Sequence, residues 1–148
     1  MLGRLRHALA AVAMAGFAAS AGAVDNPDVP DRVAAFERRA APFEKQLAGT
    51  DGGSAASSAG QSYGSFLDAE LNQAYRALLS NLKGPAHAAL AESQRRWLRF
   101  RDAEYDFIAR HWTRERGGSS ASLSVAQSRN ALVKERVLQL LRYAAEYP

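Results

Sequence analysis

The chain has no cysteine. That excludes disulfides, thiolate nucleophiles, thiolate metal sites and cysteine-linked lipid anchors. β-branched residues are scarce: seven valines, two threonines and one isoleucine, Ile108, in 148 residues. Alanine and leucine fill the apolar positions instead, which favours helix. Of the three histidines, only His87 and His111 lie beyond the first 23 residues, and no H-E-x-x-H spacing is present. Neither a metal nor another cofactor is therefore expected. Long hydrophobic runs are missing too. Ala8–Ala19 covers 12 residues, short of the roughly 20 that span a bilayer.

That run belongs to a processing pattern. Arg4 and Arg6 precede it, and Ala21-Gly22-Ala23 follows as an A-x-A site before Val24. Residues 1–23 read as a secretory signal peptide, which implies a periplasmic or secreted protein. Removing Arg4 and Arg6 with it lowers the net charge from +4 to +2. So small an excess is weak evidence for an anionic partner. The 47% hydrophobic and 23% charged content is that of a globular chain.

Residues 24–64 read as an N-terminal extension. Val33, Phe36, Ala40, Phe43 and Leu47 recur at helical spacing. Pro42 lies inside that pattern and is expected to break or kink it near Ala41. Gly49–Gly64 is rich in Gly, Ser and Ala and reads as a flexible linker or long loop. Its Gly60-Gln61-Ser62-Tyr63-Gly64 matches G-x-S-x-G, but no strand precedes it, so a hydrolase elbow is rejected.

Residues 65–148 read as an all-α domain, a small antiparallel bundle of three long helices with the weaker N-terminal helix packed across it. Leu67, Leu71, Ala74, Tyr75, Leu78 and Leu82 form the stripe of its first helix. Gly84-Pro85 ends that helix and starts the next, and so short a joint implies antiparallel neighbours. The next helix is expected to run from Pro85 to Arg116 and to stop at Gly117-Gly118. The last runs from about Ser120 to Ala145, with Leu123, Ala126, Val133, Val137, Leu140, Leu141 and Ala144 on one face.

The middle of these helices carries the informative residues. Leu90, Trp97, Tyr105, Ile108 and Trp112 share one face, and Arg95, Arg96, Arg99, Asp102, Asp106 and Arg110 the other. Trp97, Phe100, Tyr105 and Trp112 read as core rather than as a base-stacking platform, and nucleic acid is not an expected partner. The basic outer face admits an anionic lipid surface as a partner, although acids interrupt it. Gln94, Arg101 and Glu104 project with the apolar set. An inward arginine requires a partner, and Glu104 or Glu70 is expected to supply it. Asn130 is a further inward polar residue. Gln94, Trp97, Arg101, Glu104, Glu70 and Asn130 thus form the expected polar core.

Asp68-Ala69-Glu70-Leu71-Asn72, Tyr75 and Leu78-Leu79, followed by Gln94-x-x-Trp97-Leu98-x-Phe100-Arg101-Asp102-Ala103-Glu104, resemble the LprI-type lysozyme-inhibitor-like family. Gly117-Gly118-Ser119 and Lys134-Glu135-Arg136 resemble its later segments. The resemblance implies an exported helical envelope protein without catalytic activity, with a lysozyme or another envelope protein as partner. An envelope structural or surface-interacting protein without lysozyme activity is the alternative. The resemblance also implies two cysteines, whose places Tyr105 and Ser128 take here. For an inhibitor, Arg116-Gly117-Gly118-Ser119-Ser120 is the expected contact loop. Glycines permit close backbone approach, and serine, arginine and backbone N–H groups donate hydrogen bonds to carboxylates.

Overall fold

The computed structural model describes residues 31–146, so the signal-peptide reading of residues 1–23 lies outside it. Among the described residues the fold is all-α. Helices α1 (Arg32–Ala48), α2 (Gly53–Asn81) and α3 (Gly84–His111) are followed by the single turn α4 (Arg114–Gly117), a 3₁₀ turn over Gly118–Ser120, and α5 (Ala121–Glu146). Cross-contacts give the directions. Arg39 meets Glu70, Gln94 meets Arg136, and Gly60 meets Asn130. Successive long helices are antiparallel, so α2 and α5 run side by side in the same direction.

Helix α1 starts where Asp31 Oδ1 accepts a 2.9 Å hydrogen bond from the Ala34 N–H, satisfying one of the free N-terminal donors. It does not break at Pro42. The helix continues through it, with Pro42 on the exposed side. An internal proline costs about 3 kcal/mol, and apolar burial at roughly 1.5–3 kcal/mol per large side chain offsets that. Phe36, Ala40 and Leu47 are buried, and Phe43 stacks on Phe66 with ring centroids 4.6 Å apart.

The expected linker is helix. α2 begins at Gly53, and its buried positions Ala56, Ala59, Gly60, Tyr63, Leu67, Leu71, Ala74 and Leu78 form one continuous stripe. The Gly/Ser/Ala run lets the backbones of α2 and α5 approach closely. A Cβ on Gly60 would overlap the Ala126 methyl group. Asn130 Nδ2 donates to the Gly60 carbonyl oxygen at 3.0 Å, so the buried amide is satisfied across the same seam. Composition suggested slack chain here, whereas the small side chains serve packing.

Ion pairs stitch α1 to its neighbours. Arg39 holds Glu70 through two hydrogen bonds, 2.9 and 2.7 Å. Lys134 on α5 reaches Glu37 and Glu44, each at 2.8 Å, and the Tyr63 hydroxyl donates to Glu44 at 2.7 Å. The Lys134 hydrogen bond, helped by that from Tyr63, holds the Glu44 carboxyl below its usual 4.5 against the opposing effect of burial. Burial alone would lower the Lys134 pKa, but its two carboxylate partners outweigh that and hold it above 10.5. Glu44's contribution to stability is therefore lost as pH falls through its depressed pKa. Lys134's is lost as pH rises through its raised one. Between those limits the network is intact.

Helix α3 begins at Gly84, whose φ of +57° suits glycine, with Pro85 in its first turn. It ends at His111, short of the expected Arg116. Trp112 closes it by donating from its N–H to the Ile108 carbonyl oxygen, 3.0 Å. Thr113 is extended (φ −99°, ψ 156°) and turns the chain into α4. Only Leu90, Gln94 and Ile108 are buried along α3. Trp97 and Tyr105 pack against the core. Phe100 and Trp112 do not belong to it, being 49% and 39% exposed. The bundle covers one face of α3, and Phe100 lies beside that face rather than on it.

Candidate partner-binding site

The expected contact loop joins α3 to α5. Arg116, Gly118, Ser119 and Ser120 are exposed and Gly117 is half-buried. Gly118 takes φ +56° and ψ −138°, a backbone conformation that side chains disfavour. The Ser120 hydroxyl donates to the Gly117 carbonyl oxygen at 2.7 Å, and the Ser122 hydroxyl to Ser119 at 3.0 Å. The Arg116 and Gly117 N–H groups both donate to the Thr113 carbonyl oxygen. The loop is not a free tip. Its Ser119 carbonyl sits so close to Gly52 that a Cβ there would overlap it. The loop is thus seated on the start of α2, and side chains on its outer surface are presented from a fixed base.

Beside the loop a groove of about 930 Å³ opens between α2, α5 and the end of α3. Gly64 and Asp68 line it from α2, Tyr105 and Trp112 from α3, and Arg129 from α5. The Arg129 guanidinium lies 4.8 Å from the Tyr105 ring centroid. Its Nη2 donates to the Tyr105 carbonyl oxygen at 3.1 Å, and its buried Nε has no hydrogen-bond acceptor among the described residues. Burial and the nearby Asp68 raise the Tyr105 phenol's pKa. A cation–π contact and a hydrogen bond therefore join α3 to α5 between Tyr105, one of the two places implied for cysteines, and Arg129, the neighbour of the other, Ser128.

The polar core differs from the expected one. Arg101 is half-buried, and its partner is neither Glu104 nor Glu70. It donates to its neighbour Asp102 at 3.0 and 2.7 Å, lies 3.9 Å from Asp68, and flanks the Trp97 and Tyr105 rings. Glu70 is occupied by Arg39, and Glu104 is half-buried on α3. The buried cation is Arg136, 6% exposed. Its Nε donates to Gln94 at 3.1 Å, Nη1 to Gln139 at 2.6 Å and Nη2 to Ser93 at 3.2 Å. It approaches the Trp97 ring to 5.8 Å. All these acceptors are neutral, and burial pushes its pKa down. Gln94 and Trp97 thus serve Arg136, and Asn130 serves the α2–α5 seam. Arg136 follows Val133 by three residues and precedes Leu140 by four, so helical spacing alone places it beside the buried stripe.

Among the described residues no group of three His, Cys, Asp or Glu side chains could hold a metal ion. No described helix is long and apolar enough to cross a membrane. His111 packs between Phe107 and Trp112, with centroids at 5.8 and 4.9 Å. What the fold defines is a small helical bundle whose α3–α5 loop is exposed and seated on the start of α2. Residues 55–140 match the family model described as lysozyme inhibitor LprI. The chain belongs to the LprI family. The matched segment opens inside the first turns of α2, ten residues before the expected start at Ser65, and leaves α1 outside. No curated protein and no solved structure matches the chain.

Proposed function

We propose that this protein is an exported inhibitor of a lysozyme-type muramidase, acting by binding and not by catalysis. Membership of the LprI family, over more than half of the chain, carries the reading. The basic, apolar and A-x-A pattern of residues 1–23 supports export. Lysozymes cleave between two carboxyl groups, so a blocking element needs donors and a slim backbone. The Arg116 guanidinium and the Ser119 hydroxyl supply the donors, the Ser120 hydroxyl being held by Gly117, and Gly117-Gly118 keeps the chain slim. The seat on Gly52 holds this loop in place before binding, which lowers the entropic cost of association. A net charge of +2 gives little long-range steering, so affinity rests on local complementarity.

The test uses mature protein recovered from the envelope fraction, which begins at Val24 on this reading. It slows the clearing of a peptidoglycan suspension by lysozyme. Arg116→Glu combined with Ser119→Ala, with circular dichroism unchanged, weakens inhibition at least about tenfold, or roughly 1.4 kcal/mol. Wild-type protein that leaves clearing unaffected across lysozymes of several classes overturns the function. Equal inhibition by the double variant moves the contact off the loop.

A further inference from the structure

We infer that the outer face of α3 is the seam of a homodimer, in which two copies of the helix pack antiparallel about a two-fold axis near Arg101–Asp102. Phe107 is 61% exposed and Phe100 49%, whereas most other large apolar side chains are wholly or partly covered. The two lie seven residues apart, with exposed Ala103 between them and exposed Arg96 one turn before. At 100° per residue these four positions form one stripe, turned well away from buried Leu90, Gln94 and Ile108. A solvent-facing apolar ridge of this kind marks an interaction surface.

The ridge fits a second copy because its residues complement themselves when the helix is reversed. In the register that places Phe100 over the second copy's Ala103, the second copy's Phe100 covers Ala103 in return. A large side chain then faces a small one at both central layers. Phe107 meets Arg96 of the other copy, a cation–π pairing made twice. Along one flank Arg99 faces Asp106 of the other copy, and Asp106 faces Arg99. Both side chains are exposed, and among the described residues neither has an ion-pair partner in its own chain. Every contact recurs by symmetry, as a two-fold interface requires. In that register Arg99 and Asp106 are offset by two residues, about 3 Å along the axis at 1.5 Å per residue, which the long arginine side chain spans.

Three to four helical turns on each side bury on the order of 1,000 Å² in total, the lower end for a specific interface. The dimer is therefore concentration-dependent, with dissociation in the micromolar range. The axis lies about ten residues from the end of α3. The two loops that follow α3 then emerge at opposite ends of the helix pair, about 30 Å apart at 1.5 Å per residue. The seam leaves the proposed inhibitory loop free, so dimerisation and inhibition fail or succeed separately.

Sedimentation of the mature protein from about 1 to several hundred µM reads the equilibrium directly. The expected result is a shift from monomer to dimer across that range. Phe100→Glu holds the protein monomeric with its circular dichroism intact, since Phe100 is not core. Arg99→Asp and Asp106→Arg each weaken dimerisation about tenfold or more, and the double exchange restores it. Monomer at every concentration overturns the proposal. So does a dimer indifferent to Phe100→Glu, or single exchanges that the double exchange does not rescue. Loss of lysozyme inhibition in Phe100→Glu, in a wild type that stays monomeric, assigns the ridge to the enzyme instead.

Discussion

Where α2 meets α5, Gly60 lets two backbones close until no Cβ fits against Ala126. Where α3 meets α5, the guanidinium of Arg136 fills the space, held by two side-chain amides and a serine hydroxyl. The first contact is apolar and governed by shape, with one satisfied amide, Asn130, inside it. The second is polar, with Arg136 and Arg101 beside Trp97 and with Arg129 and Arg101 beside Tyr105. Close packing tolerates no added volume. A polar contact tolerates the loss of an exposed member far better than that of a buried one. The same bundle should therefore respond very differently to substitution on its two sides.

Gly60→Val tests the first side. Its side chain overlaps Ala126 and pushes Asn130 from its acceptor, so the cost should reach about 3 kcal/mol or more. Urea denaturation measures it, and a loss below about 1 kcal/mol would show that the seam can open. Arg136→Ala tests the second side and should cost about 2–3 kcal/mol, from a cavity and stranded partners. Arg136→Met refills the volume without a buried charge and should recover much of that loss. If both variants are equally destabilised, the hydrogen bonds and not the packing hold α3 in place. Arg101→Ala should have the smallest effect, below about 1 kcal/mol, because its acidic partners are exposed. An Arg101 effect matching that of Arg136 would erase the distinction between a buried and a half-buried arginine.

Periodicity made the long helices legible, along with the Gly84-Pro85 joint and the inward turn of Gln94 and Asn130. The family resemblance was legible separately, in the residues Asp68–Asn72 and Gln94–Glu104 themselves. Residues 53–64 were misread because linker and close-packed helix share a composition: glycine, serine and alanine suit both slack chain and backbone contact. The spacing of Ala56, Ala59, Gly60 and Tyr63 held the evidence, and small side chains contribute little to a hydrophobicity reading. Pro42 was misread for the complementary reason, since a local breaking rule cannot weigh the tertiary burial of Phe36 and Leu47. The arginines show a third limit. A helical wheel reports which way Arg101 leaves its helix, but not that Arg39 has already taken Glu70. The candidate loop was visible as a double glycine followed by serines, but its seat on Gly52 was not, because that contact joins residues 67 apart in the chain.

The side-by-side, same-direction course of α2 and α5 bears on how the chain reaches its native state. Two adjacent parallel helices need a return passage, and α3 is that passage. Everything from Leu82 to Ser120 must be closed as one loop before Gly60 can find Ala126. The entropic cost of closure grows only slowly with length, so that loop need not be helical when the α2–α5 pair first forms. The non-local seam raises the contact order, and folding should be slower than in an up-and-down bundle whose main contacts join neighbours in the chain. In the finished protein the order reverses. α3, with three buried residues in its 28, should open more readily than the α2–α5 pair, and its amide hydrogens are expected to exchange with solvent before those of α2 and α5.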